Sequence, residues 1–258
     1  MSYLRIVACV CCLWLSGLAV APRTGAEPFQ PPNRGLPGRR EGAATRGCVL
    51  GHPSRLMALL PDTNLGLTTE AYPTFFWYMP RSQARFVEFS LYQTNQEGDR
   101  QLIYGSTLSV TSEAGIARVS LPTHSGLPPL AVGQDYQWSV AIICNPNNRR
   151  GDLRVDGWVH RIEPEPDLAQ ALATADRSEQ VSLYARHGIW FDAVAALAEL
   201  QLAAPEDAEL QGRWQELLES VGLEAIAEQP FLGMAIPPLP ALSCPLQPGV
   251  SLSGDRPG

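Results

Sequence analysis

Four side chains have the chemistry to bind zinc: Cys48 and His52, four positions apart, with the distant Cys144 and His160. They lack the two-plus-two spacing usual for a zinc site, and in an oxidising compartment two cysteines are expected to bridge instead. No metal and no cofactor is therefore expected. His124 falls beside a loop and His187 at a helix end, where an imidazole complements the helix dipole. Nothing in the chain selects a nucleophile or an acid to work with either one. Gly249-Val250-Ser251-Leu252-Ser253-Gly254 narrowly misses a nucleophile elbow and has no strand-to-helix turn around it. H-E-x-x-H, G-x-G-x-x-G and G-x-S-x-G do not occur. All 19 basic residues are arginine, which excludes a lysine Schiff base, a pyridoxal phosphate anchor, a Walker lysine and a Ser–Lys dyad. Asp152 and Asp156 flank a turn containing Arg150-Gly151-Asp152, but one carboxylate pair is too few for calcium, and a polar turn accounts for the triplet. No catalytic residue emerges, and the expectation leans away from an enzyme.

Six cysteines remain to be placed. Cys9, Cys11 and Cys12 belong to the N-terminal apolar run, which leaves Cys48, Cys144 and Cys244. An odd set in an oxidising compartment predicts one bridge and one spare thiol. Cys48 opens the folded region and Cys144 ends a strand, so these two are the expected pair. Cys244, in a proline-rich tail, is the remainder.

The N-terminal run itself is an address. Arg5 precedes an apolar stretch from Ile6 to Ala21, and small residues at Ala19-Val20-Ala21 or Thr24-Gly25-Ala26 offer cleavage sites. Residues 1–26 read as a secretory signal peptide cleaved near Ala21 or Ala26, with an uncleaved anchor as the alternative. The expected destination is the periplasm or the exterior, with no membrane span after cleavage. A net charge of −7 argues against nucleic acid, whose binding draws on clustered cations.

The elements follow from composition. Residues 27–46, rich in Pro, Gly and Arg, read as a disordered linker, and 229–258, with Pro237-Pro238-Leu239-Pro240, as a disordered proline-rich tail. Between them charge divides the chain: residues 47–162 carry 9 Arg and 9 acids, whereas 163–228 carry 3 Arg and 14 acids.

Short alternating runs over 47–162 predict an antiparallel β-sandwich, Ig-like in general architecture. These runs are Tyr72 to Met79, Phe86 to Tyr92, Gln101 to Leu108, Ile116 to Leu121, Tyr136 to Cys144 and Leu153 to Ile162, with a hairpin loop at 95–99. Tyr136, Trp138, Val140, Ile142 and Cys144 share a face expected to turn toward the opposite sheet.

Residues 163–228 predict a small helical unit. A helix runs from Asp167 to about His187, a second from Ile189 to Ala203, and a third from Pro205 to about Val221. Tyr184, Gly188, Ala193 and Pro205 fall at the spacing of one tetratricopeptide unit, whose glycine permits a tight turn and whose alanine lets two helices close. This makes the fold class α+β. The acids Glu206, Asp207 and Glu209 are the candidate partner-binding residues, because a strongly negative unit attracts cationic partners.

Taken together, several segments resemble the domain-of-unknown-function family 928. They are Arg46-Gly47-Cys48, Pro73-Thr74-Phe75-Phe76-Trp77-Tyr78, Leu130 through Tyr136-Gln137-Trp138, Ile143-Cys144-Asn145-Pro146, Gly157-Trp158-Val159-His160-Arg161 and Tyr184 to Leu200. The resemblance covers roughly 47–228 and implies an exported, mainly cyanobacterial kind of protein, but no activity. Asn145 stands where the family usually has a carboxylate, which puts any role of that acid in doubt here. Two functions are carried forward: a non-enzymatic interaction or scaffold module of the envelope receiving a protein or peptide, and an envelope hydrolase or carbohydrate-active protein.

Overall fold

A computed structural model describes residues 29–42, 48–50, 55–94, 99–124 and 126–232. The expected signal peptide at 1–26 with Cys9, Cys11 and Cys12, His52, most of the expected hairpin loop at 95–99, and the expected tail from residue 233 onward, with Cys244 and Ser251, lie outside the described residues.

Among the described residues, eight strands form two sheets. β1 (Met57–Ala58), β3 (Thr74–Met79) and β6 (Gly115–Ser120) make a three-stranded sheet in the order β1-β3-β6. The second sheet comprises β2 (Leu65–Thr68), β4 (Phe86–Thr94), β5 (Arg100–Ser109), β7 (Asp135–Ile143) and β8 (Leu153–Arg161), ordered β2-β8-β7-β4-β5. Every pairing between these strands is antiparallel except one. β2 runs parallel to β8, with Leu65 opposite Trp158 and Thr68 opposite Arg161. The wholly antiparallel expectation is thereby corrected. A parallel neighbour needs a long crossover rather than a hairpin, and a four-residue strand with no alternation does not announce itself as one. The chain enters β2 from Asn64 at φ 58°. Gly66 then lets the α3 aromatics come close, since a Cβ there would stand 2.6 Å from the Phe191 ring.

The two sheets share one apolar interior. Phe75 on β3 meets Phe89 on β4 at 5.0 Å and Trp138 on β7 at 5.2 Å between ring centroids. Val87, Phe89 and Leu91 alternate into this layer from β4, and Tyr136, Trp138, Val140 and Ile142 from β7, all buried. The face expected from Tyr136 onward is the inward one.

Four helices follow among the described residues: α1 (Pro166–Thr174), α2 (Arg177–Arg186), α3 (Trp190–Ala203) and α4 (Ala208–Glu219). The single helix expected over 167–187 is two. Ala175 adopts an extended conformation, and the Asp176 carboxylate then accepts the Glu179 amide at 2.8 Å as a new N-cap. The Asp-x-x-Glu signal for that cap was present in the sequence. α4 begins at Ala208 rather than Pro205, because Asp207 is its N-cap. At the α2–α3 turn Gly188 takes φ 68°, and a Cβ there would run into the Gln30 carbonyl. α3 buries eight of its first nine residues, a central helix rather than a surface one. Phe191 reaches the sheets, 5.2 Å from Phe75, and Trp190 Nε1 donates to the Leu59 carbonyl at 2.8 Å.

Residues 29–42, expected to be linker, lie across the assembled body. Phe29 packs edge-on against Trp190 at 4.8 Å, and Trp158 Nε1 donates to the Pro37 carbonyl at 2.7 Å. Arg34 pairs with Asp135, and Arg40 donates to the Leu60 and Val221 carbonyls at 3.1 and 2.7 Å. Composition favours a linker here because Pro and Gly suppress periodicity. Backbone groups of this segment nevertheless pair with Leu56, Ala58, Thr63, Asp156 and Ala185, none of them a near neighbour in sequence, which no local pattern encodes. Cys48 and Cys144 form a disulfide across 96 positions, with Cα atoms 5.3 Å apart. No helix among the described residues is long and apolar enough to cross a membrane.

Candidate functional site

The first turn of α3 places one acid in an otherwise apolar run, Trp190-Phe191-Asp192-Ala193-Val194. Asp192 is only 4% exposed. Its Oδ1 accepts the Thr68 hydroxyl at 2.5 Å, and its Oδ2 accepts the Thr69 amide at 2.9 Å and the Thr69 hydroxyl at 2.5 Å. These donors are neutral, and Asp192 takes part in none of the ion pairs among the described residues. Burial pushes its carboxyl from the ordinary value of 3.8 up to about 6; the threonine donors hold it down and the charge of Glu70 adds to the rise. The Tyr184 hydroxyl joins through Thr69 and is itself raised, first by burial and then by the charges of Asp192 and Glu70.

Outside this network a hollow of about 270 Å³ opens between the β2–β3 connection and the α2–α3 hairpin. Glu70, Tyr72, Tyr184, Phe191, Asp192 and Glu199 line it, with Arg177 at the wall. Arg177 is committed to Glu199, with Nη2 2.5 Å from Oε2, and to Gln180 at 3.0 Å. The lining thus sets three acids against one arginine. The exposed lining of the cleft is mainly polar.

A larger, more apolar hollow of about 600 Å³ lies where α3 ends. Leu202 and Pro205 form one wall, Gln211 and Gln215 of α4 another, and Pro230 and Phe231 the third. Glu206, Asp207 and Glu209, the candidates from the sequence, follow this wall on the α3–α4 connection and are all exposed. Asp207 has a local duty as well: its Oδ1 accepts the Glu209 and Leu210 amides at 2.9 and 3.2 Å.

The other sequence candidates do not converge. Cys48 and Cys144 are bridged. His160 Nδ1 lies 2.7 Å from Asp135 Oδ1 beneath residues 29–42, and His187 Nδ1 sits 2.9 Å from the Leu183 carbonyl at the end of α2. Asp152 receives the Cys144 amide and Arg149, while Asp156 receives Gln137 Nε2 at 3.3 Å and the Arg39 amide at 3.4 Å. Among the described residues no group of three or more His, Cys, Asp or Glu side chains is placed to hold a metal. The Asp192 network was missed in the sequence. Its one available signal was a lone acid inside an apolar helix turn.

These features define a mixed α+β protein with two largely antiparallel sheets, four helices, one disulfide and an acidic cleft at a helical hairpin. A family model described as Domain of Unknown Function (DUF928) matches residues 41–231, and the chain belongs to that family. No curated protein and no solved structure shows significant similarity to it.

Proposed function

We propose that the chain is an exported, non-enzymatic interaction module of the cell envelope that receives a protein or peptide. In this reading residues 1–26 are a signal peptide, the two sheets of 47–162 act as an Ig-like β-sandwich platform, and 163–228 act as a tetratricopeptide-like receiving unit. The observation that carries it is the α3–α4 edge. Glu206, Asp207 and Glu209 stand exposed beside the 600 Å³ hollow, and none of the ion pairs among the described residues involves them. Negative charge left in solvent next to apolar surface supports steering and then docking of a cationic partner. The disulfide fits an oxidising compartment.

The test is crosslinked capture from envelope extract. The chain lacks lysine, so a carboxylate-directed or photoreactive linker is used. Capture is expected to weaken with added salt and to fall in the triple variant Glu206→Gln, Asp207→Asn, Glu209→Gln, in which asparagine retains the N-cap. Undiminished capture by that variant refutes the acidic-edge reading.

A second reading, an envelope hydrolase or carbohydrate-active protein, has one observation in its favour. Asp192, raised to about 6, shares a cleft with Glu70, and a pair of carboxylates in different environments is a recurring acid–base arrangement. It requires turnover in a broad hydrolase screen that disappears in Glu70→Gln.

A further inference from the structure

We propose that the 270 Å³ cleft at the α2–α3 hairpin binds a single basic side chain, ammonium or guanidinium, presented by the partner polypeptide. This rests on the interaction-module reading and names the chemistry its partner brings.

Size sets the first limit. Pockets for drug-sized ligands begin near 300 Å³, so this cleft admits one side chain or a small amine. Charge sets the second. Buried carboxylates are ordinarily paired with a cation, yet Asp192 at 4% exposure has only hydroxyl and amide donors. Glu70 adds negative charge at the mouth. The arginine in the wall, Arg177, is already bound to Glu199 through two nitrogens, at 2.5 and 3.1 Å. The chain has no lysine of its own to fill the place.

Lining chemistry sets the third. Tyr72, Tyr184 and Phe191 lie in the lining, whose exposed part is mainly polar, which suits the charged end of a side chain better than an apolar one. Tyr72 and Tyr184 are also fixed: Tyr72 donates to the Leu127 carbonyl at 3.2 Å and Tyr184 is joined to Thr69. A pre-formed acidic slot suits a protonated side chain better than a neutral or anionic one.

The experiment is a titration of the 15N-labelled exported chain with Nα-acetyl-lysine methylamide and Nα-acetyl-arginine methylamide. Nα-acetyl-norleucine methylamide serves as uncharged control and spermidine as the free-polyamine arm. Expected are saturating shifts of the Glu70, Tyr184 and Asp192 amides with the lysine or arginine amide, absent with norleucine, and weakened roughly tenfold in Glu70→Gln while the remaining spectrum is preserved. No shift with either basic amide, an equal response to norleucine, or insensitivity to Glu70→Gln overturns the proposal. Saturation by spermidine with both basic amides silent also overturns it, assigning the cleft to a free amine instead. Capture that depends on the α3–α4 edge while the cleft stays silent removes this inference alone. Cleft binding without any capture removes the interaction-module reading instead.

Discussion

Asp192, in the first turn of α3, and Thr69, just past the end of β2, are separated by 123 positions, and the Thr69 amide donates to Asp192 Oδ2 at 2.9 Å. Both threonine hydroxyls close on the same carboxylate. The contact fastens the buried helix to the one parallel strand, and it holds the acid at the wall of the cleft. Its energetics are therefore open to measurement through stability as well as through binding.

The native state holds the Asp192 proton more tightly than the unfolded chain does, with folded and unfolded values of about 6 and 3.8. Stability from this group is thus fully present below the unfolded value and declines as pH rises through about 6. A separation of that size corresponds to about 3 kcal/mol. Urea unfolding of the wild type and of Asp192→Asn, compared at pH 4, 5, 6 and 7, is expected to show wild-type stability falling relative to the variant across that window. A difference that stays level with pH contradicts the assignment.

Trp138 is fully buried, with Phe75 at 5.2 Å and Phe89 at 6.3 Å between ring centroids. Trp138→Ala is expected to cost about 3–5 kcal/mol through lost burial and a residual cavity. Denaturant midpoints read this directly. A loss under about 1 kcal/mol, the range of surface substitutions, is incompatible with a core ring.

The Cys48–Cys144 bridge closes 96 positions. Chain entropy sets its stabilisation at about 4–5 kcal/mol at most. Non-reduced peptide mapping should recover the linked pair, and Cys48→Ser with Cys144→Ser should lower the unfolding free energy by about 2–5 kcal/mol. Two free thiols in protein isolated without reductant would remove the bridge.

Phe29 is 5% exposed and stacks edge-on against Trp190. Phe29→Ala is expected to destabilise by about 3 kcal/mol. Arg40→Met should specifically speed hydrogen exchange at the end of α4, where the guanidinium reaches the Val221 and Gly222 carbonyls. Unchanged exchange there, with unchanged stability of Phe29→Ala, would show that residues 29–42 contribute nothing to holding the body together.

Most strands and helices were legible because periodicity is local. Alternation at 86–91 and 136–142 marks which side chains turn inward, and the apolar pattern after Gly188 marks α3. Cysteine bookkeeping likewise yielded the bridge, since three cysteines outside the N-terminal apolar run leave few choices. Boundaries were less legible. The break at Ala175-Asp176 leaves little mark on the pattern, because a short extended link between two helices costs little periodicity, and only the Asp-x-x-Glu spacing at Asp176 signals its cap.

The amino-acid pattern alone determined the order of elements, the inward faces, the disulfide partners and the acidity of the helical unit, because each depends on near neighbours or on counting. Tertiary structure decided the parallel placement of β2, the course of residues 29–42 over the body, and the meeting of Thr68, Thr69, Tyr184 and Asp192 at one cleft. Those relationships join groups up to 182 positions apart, as in the bond from Arg40 to the Gly222 carbonyl. Their partners are chosen by packing and by satisfaction of buried polar groups, and neither leaves a periodic trace along the chain.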